Sequence, residues 1–415
     1  MTFIRLAAAL LLISSCAAQE IPSAAPSEVG LSAEKLDRIG PAVQKMIDRD
    51  QMAGAQVVVA RHGKVAYFQS FGKANVESGA PIKPDTIFRI YSMTKSITSV
   101  AVMMLVDDGR VKLDDPISKH IPELAGLKVY AGGKEPDWKL VEAKREITVR
   151  DLLRHSAGLT YGFFGATSVD AAYRDRGVLA PDHDLAEMIR RLAKIPLLYQ
   201  PGTQFNYSVS VDVLGRLVEV VSGKSLDAFF QERIFGPLEM KDTGFWVPAE
   251  KTDRLATNYG PGAGGKLRVV DDPKTSTYRS KPALLSGGGG LASTARDYLR
   301  FCQMMLSGGE LGGRRILKRE TVAQMTVNQL PPEATPIQMG LLKMQGVGFG
   351  LGFSVRVAAG AGGVEGEYGW GGAASTHFWI SPKHDLVVVA LEQYMPFTPR
   401  LADAVKPIVY EAVEK

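Results

Sequence analysis

Three Ser-x-x-Lys pairs are places where a hydroxyl and an amine could cooperate: Ser32 with Lys35, Ser70 with Lys73, and Ser92 with Lys95. The chemistry at stake is nucleophilic catalysis, in which a serine attacks a carbonyl once a neighbouring base takes its proton. Flanking sequence separates the three. Ser32 opens an amphipathic segment and reads as a helix cap. Ser70 closes a β-rich run, and on a strand residues three apart point to opposite faces. Ser92 stands where residues 87–91 enter a run that is apolar nearly all round, from Met93 through Ile97 and Val100 to Leu105. Such a run predicts a central, buried helix. Positions i and i+3 of a helix share a face, so Lys95 is held beside Ser92. An ammonium taken out of water gives up its proton more readily. A helix start also offers unpaired N–H groups to a developing oxyanion.

Three other phrases carry side chains suited to the same cleft. Arg154-His155-Ser156-Ala157-Gly158-Leu159 ends a short helix. Residues 201–208 place Tyr207 in a loop, where a phenol can reach a substrate. Trp370-Gly371-Gly372-Ala373 precedes a strand, and its glycines let backbone N–H groups come close. Several residues nearby read as structural: Ser375 and His377 by strand alternation, His155 as a hydrogen-bonder near the cleft, and Asp182-His183-Asp184 as a solvated loop.

Other chemistries lack their patterns. There is no Gly-x-Ser-x-Gly elbow. No two of the six histidines stand at metal-ligand spacing, so no metal is expected. Gly223-Lys224-Ser225 resembles the end of a phosphate loop, but the glycine required five residues earlier is Val218, and Gly223 reads as a helix stop. The glycine run 287–290 lacks the strand–helix setting of a dinucleotide site. No cofactor is implied. With a net charge of +5 and no long basic block, nucleic acid is not an expected partner.

These residues need a scaffold. The chain has 415 residues, 45% hydrophobic and 22% charged, enough for a large core. Two cysteines, Cys16 and Cys302, exclude a disulfide framework, and Cys302 sits in an apolar helical run as a buried thiol. Residues 1–18 have one charge, Arg5, then an apolar stretch, then small residues, the layout of a secretory signal. Cleavage after Ala18 and lipidation at Cys16 are both open. Lipidated Cys16 is the one expected membrane attachment, and the expected location is periplasmic or secreted. Residues 19–30 form a linker. Residues 31–50 have helical periodicity. Residues 55–61 and 64–71 read as strands joined at His62-Gly63, and residues 350–357, 377–381 and 386–391 as strands near the other end. Helices are expected at 92–108, 148–153, 185–192, 209–221, 226–234 and 399–413, while 130–144 and 260–281 read as excursions. Strands at both ends and helices between them predict an α+β fold, with one antiparallel sheet built from both chain ends and flanked by helices. Residues 31–91 and 284–415 would form the sheet unit and 92–283 a mainly helical insertion, with the site between them.

In this order and spacing the motifs resemble the serine β-lactamase-fold hydrolases, nearest to the class C β-lactamase-like carboxylesterases called family VIII. The resemblance spans roughly residues 29–412 and implies a β-lactamase/transpeptidase-like fold. It implies Ser92 as nucleophile, Lys95 as base or proton relay, and Tyr207 as the phenol that shuttles a proton to the leaving group and activates water. It implies an oxyanion hole from the N–H groups of Ser92 and Ala373, and a glycine run at 287–289 that lets a loop pass under the site. Trp370-Gly371-Gly372 takes the place of the Lys-Thr-Gly strand motif of β-lactamases, and Val209 that of the asparagine in Tyr-x-Asn. The first change removes a cation suited to a substrate carboxylate. The second removes a hydrogen-bonding amide. Both point to uncharged carboxylic esters of short to medium acyl chain as the small-molecule substrate, with a β-lactamase, D-amino-acid peptidase or acyl transferase as the alternative, and a non-catalytic ligand sensor less favoured.

Overall fold

The computed structural model describes residues 20–339, 342–359 and 363–414. The expected signal at 1–18, with Cys16, lies outside the described residues.

Runs of β-branched and aromatic residues at the two chain ends build the sheet. Gly54–Arg61 (β1) and Lys64–Gly72 (β2) form a hairpin whose turn residues His62 and Gly63 take φ of 52° and 70°, the left-handed pair that matches strand twist. The other strands come from the C-terminal part: Val347–Phe349 (β3), Ser354–Arg356 (β4), Tyr368–Gly372 (β5), Thr376–Ser381 (β6) and Leu386–Glu392 (β7). Their order is β3-β4-β5-β6-β7-β1-β2, every neighbour antiparallel. Val58 of β1 lies opposite Val389 of β7, so the pairing that closes the sheet joins the two ends of the chain.

The helices that position the site and cover the sheet are Ile39–Ile47 (α1), Thr94–Asp107 (α2), Val149–Leu153 (α3), Ser168–Asp175 (α4), Leu185–Leu192 (α5), Ser210–Ser222 (α6), Ala295–Leu306 (α7) and Arg400–Ala412 (α8). Strands β1 and β7 are buried on both faces. Val57, Val59, Val388 and Ala390 pack with α1 and α8, whereas Val58, Ala60, Val387, Val389 and Leu391 face the larger core. That larger core runs without interruption through α2 into Val213, Leu214 and Leu217 of α6, so buried contact is continuous across chain positions 91/92 and 283/284. Twelve residues of α2, Thr94 to Leu105, are buried, as its all-round apolar surface requires. Gly109 follows it with φ of 72°.

Several elements differ from their sequence-based outlines. The expected helix at 92–108 begins as a 3-10 turn, Tyr91–Met93, before α2. The expected strand at 350–357 is split, because residues 350–353 turn between β3 and β4, with Gly352 at φ 92°. The segment 226–234 is α-helical only over Leu226–Phe230 and continues as a π turn, Gln231–Phe235. Each expected excursion contains a hairpin, Val129–Gly132 with Lys139–Val141 and Asn258–Pro261 with Leu267–Asp271. Their strands are too short to show a period-2 signal. Asp182-His183-Asp184 is solvated only in part: Asp182 and Asp184 are exposed, with Asp184 Oδ1 capping α5 by accepting from the Glu187 N–H at 2.8 Å, whereas His183 is buried, its ring nitrogens 3.0 Å from the Asp184 and Gly177 carbonyls. Cys302 is buried on α7, and burial pushes its thiol up.

Burial on β6 holds His377 neutral, its imidazole lowered from 6.5 to about 4 chiefly by desolvation, with a smaller contribution from Lys406 in the same direction. The unfolded chain takes up this proton near pH 6.5 and the folded chain only near 4. Stability from this group is therefore present above 6.5 and lost as pH falls. Between pH 7 and pH 5 the loss is about 2 kcal/mol. Urea unfolding of His377→Gln at the two pH values should show a decline shallower than wild type by that amount, and an equal decline would exclude His377 as its source.

Candidate active site

The chain reaches Ser92 through a tightly held approach. Phe88–Arg89 pairs with Ala292–Ser293. The fully buried Arg89 guanidinium donates to Asp271 Oδ2 at 2.7 Å, the Ala256 carbonyl at 2.6 Å and Ser276 Oγ at 3.0 Å. Tyr91 then takes φ of 40°, a left-handed conformation that costs a bulky residue energy and that the surrounding contacts must hold. Ser92 follows in the 3-10 turn, half-buried, and Lys95 is three residues on, 1% exposed.

Lys95 Nζ donates to Ser92 Oγ at 3.2 Å and to the Gly288 carbonyl at 2.5 Å. It also lies 4.7 Å from the ring centre of Tyr207 and 5.2 Å from that of Tyr161, where aromatic faces attract a cation. Gly288 is placed by α6. Its N–H donates to Asp212 Oδ1 at 3.0 Å, and Ser286 Oγ donates to the same oxygen at 2.6 Å. A Cβ at residue 288 would stand 2.4 Å from Asp212 Oδ2, so only glycine lets this peptide lie between the carboxyl and the amine. Burial pushes the Asp212 carboxyl up, opposed first by the charge of Lys95.

Tyr207 precedes α6, and its oxygen accepts from Trp370 Nε1 on β5 at 3.1 Å. Its ring packs among His155 at 4.8 Å, Tyr161 at 5.3 Å, Trp370 at 5.4 Å and Phe164 at 5.9 Å between centres. His155 follows α3 and is fully buried; desolvation first, then the charge of Lys95, lower its imidazole well below the usual range. It therefore stays neutral, and its Nδ1 accepts from the Ser208 N–H at 3.3 Å.

Strand β5 passes directly over the turn that carries Ser92. A Cβ on Gly372 would stand 2.2 Å from the Ile90 carbonyl; glycine here lets the strand lie against residues 90–92, with Ala373 immediately after it. Gly371 and Gly372 pair with His377 and Thr376 of β6.

The structure thus links Ser92, Lys95, Tyr207 and Trp370 in one chain of contacts. Val209 is elsewhere: it is 0% exposed in the apolar core at the start of α6, so it forms no wall of the cleft, contrary to its expected substrate-binding place. Ser375 and His377 form no dyad. Ser375 Oγ donates to the Tyr394 carbonyl at 2.9 Å, and His377 Nε2 lies 3.3 Å from the Thr398 carbonyl. Ser32 caps the helix Ala33–Leu36 and Ser70 Oγ accepts from Gln56 Nε2. Tyr161, Asp212 and the Gly288 carbonyl are members of the site that the sequence did not single out. Asp212 had one signal: it follows Tyr207 by five residues as a lone carboxylate between Val211 and Val213 at the start of a helix.

A sequence profile described as Beta-lactamase matches residues 41–408. The chain belongs to the Beta-lactamase family. Its α+β architecture is the β-lactamase/transpeptidase-like fold of that family. Protein Rv1367c of Mycobacterium tuberculosis (strain ATCC 25618 / H37Rv) is 36% identical over 370 residues, 87% of this chain and 90% of that protein. Esterase EstB of Burkholderia gladioli is 35% identical over 292 residues, 66% of this chain and 71% of that protein. The solved structure titled "EstCE1, a hydrolase with promiscuous acyltransferase activity" superposes with a TM-score of 0.78 at 28% identity, covering 91% of this chain and 99% of that one.

Ser92→Ala should abolish covalent labelling by an organophosphonate probe while leaving the circular dichroism spectrum unchanged. Labelling that persists in the folded variant would assign the nucleophile to another hydroxyl.

Proposed function

We propose that this protein is a serine hydrolase that cleaves uncharged carboxylic esters of short to medium acyl chain through an acyl-enzyme. The observation that carries the reading is Ser92 Oγ, 3.2 Å from the buried Lys95 amine, beside a Tyr207 phenol whose oxygen is held by the Trp370 N–H. The Lys95 amine takes the Ser92 proton as Oγ bonds to the ester carbonyl carbon. The N–H groups of Ser92 and Ala373 stabilise the resulting oxyanion, each such donor being worth about 10²–10³ in rate. Tyr207 passes a proton to the departing alkoxide as the carbon–oxygen bond breaks, leaving the acyl group on Ser92. Water then attacks the acyl-enzyme, giving its proton back through Tyr207, and the acid leaves as Ser92 is reprotonated.

Substrate choice follows from Trp370. An indole whose N–H is engaged by Tyr207 offers no positive charge to a substrate carboxylate, which weakens the lactamase and peptidase alternatives. The esterase name carried by EstB and the hydrolase title carried by EstCE1 accord with this. We also propose export, on the charged, apolar and small-residue layout of residues 1–18, with cleavage after Ala18 or lipidation at Cys16 as its two exits.

A panel of p-nitrophenyl esters of rising chain length, run beside a chromogenic cephalosporin, tests the reading. Short-chain ester turnover well above the lactam rate is expected; preferred lactam turnover would overturn it, and absence of both would leave a ligand sensor. In the same assay Tyr207→Phe should lower kcat by roughly 10²-fold or more, with the aromatic packing of the ring retained.

A further inference from the structure

Two consecutive phenylalanines on the rim of the site are exposed. Phe163 is 61% and Phe164 47% exposed, and with Phe397 at 43% they are the exposed phenylalanines among the described residues. They are not loose. Phe163 stacks on Tyr161 at 4.9 Å and 26° between rings, Phe164 lies 4.6 Å from Phe163, and Phe164 lies 5.9 Å from Tyr207. The loop that carries them is tied at both ends to one buried carboxylate, Asp170 of α4. Asp170 Oδ1 accepts from Thr160 Oγ1 at 2.7 Å, while Oδ2 accepts from Thr167 Oγ1 at 2.7 Å and the Thr167 N–H at 3.0 Å. Arg174 Nη1 of the same helix donates to the Gly162 carbonyl between them. Exposed apolar surface held in a fixed shape beside a cleft marks a recognition surface, and aromatic faces pair with flat rings in stacked or edge-on geometry.

The side of the reaction this surface serves follows from its neighbour. The rings continue from Tyr207, and Tyr207 faces the departing oxygen in the ester-cleavage reading, on which this inference rests. We propose that Phe163 and Phe164 bind the alcohol part of the ester and select aryl or fused-ring alcohols over small alkyl ones. The acyl chain is not their target.

Two matched pairs of esters test this. The kcat/KM ratio of 1-naphthyl acetate to ethyl acetate reads the alcohol side; that of methyl 1-naphthoate to methyl acetate reads the acyl side. Phe163→Ser/Phe164→Ser should lower the first ratio by about tenfold or more, in the range one lost apolar contact group can supply, and leave the second within twofold. The inhibition constant of 1-naphthol, measured against ethyl acetate hydrolysis, should rise in parallel. Phe163→Tyr/Phe164→Tyr should keep the wild-type ratios, because the ring faces survive. An unchanged first ratio, or a fall confined to the second, would overturn the assignment while ester hydrolysis stands. Wild-type protein that turns over none of the four esters would overturn the hydrolase reading and this inference together.

Discussion

One buried amine organises the site. Lys95 has left water almost completely, and an ammonium there must find compensating partners. It finds a hydroxyl, a backbone carbonyl and two aromatic faces, and each comes from a different part of the chain: Ser92 from its own turn, Gly288 from the loop under α6, Tyr207 from before α6, Tyr161 from the rim. The requirement to satisfy one nitrogen therefore fixes the relative positions of the Ser92 hydroxyl, the phenol and the glycine loop. Asp212 extends the same logic by holding the Gly288 peptide from behind.

A second constraint is steric. Strand β5 lies on the turn that carries Ser92 only because residue 372 lacks a side chain. The same strand sets the Trp370 indole against Tyr207. In this arrangement the Trp370 N–H keeps the phenol oxygen of Tyr207 in a fixed direction.

Much of this was legible from residue types and spacing, and the parts that were not have a common cause. The i, i+3 relation of Ser92 and Lys95, the apolar surface of α2 and the hairpin at His62-Gly63 are local facts, carried by neighbouring residues. Tyr161, the Gly288 carbonyl and the Trp370 to Tyr207 hydrogen bond depend on loops meeting in space, and a backbone carbonyl has no signature in the sequence. Val209 was misjudged for a related reason: its place beside Tyr207 in the chain gave no warning that the start of α6 turns its side chain into the core. The hairpins at 129–141 and 258–271 leave no clear signal because three to five residues per strand cannot establish a period.

The pairing of β1 with β7 has a consequence for the life of the chain before it is folded. The strand made almost first must wait for the strand made almost last before the middle of the sheet exists. Contacts so distant in sequence form slowly, since a long loop has to close before they repay its entropy. Synthesis from one end to the other therefore leaves the surroundings of Lys95 incomplete until the C-terminal segment has emerged, and a ribosome-bound intermediate lacking it would carry Ser92 and Lys95 without the strand that brings the indole to Tyr207.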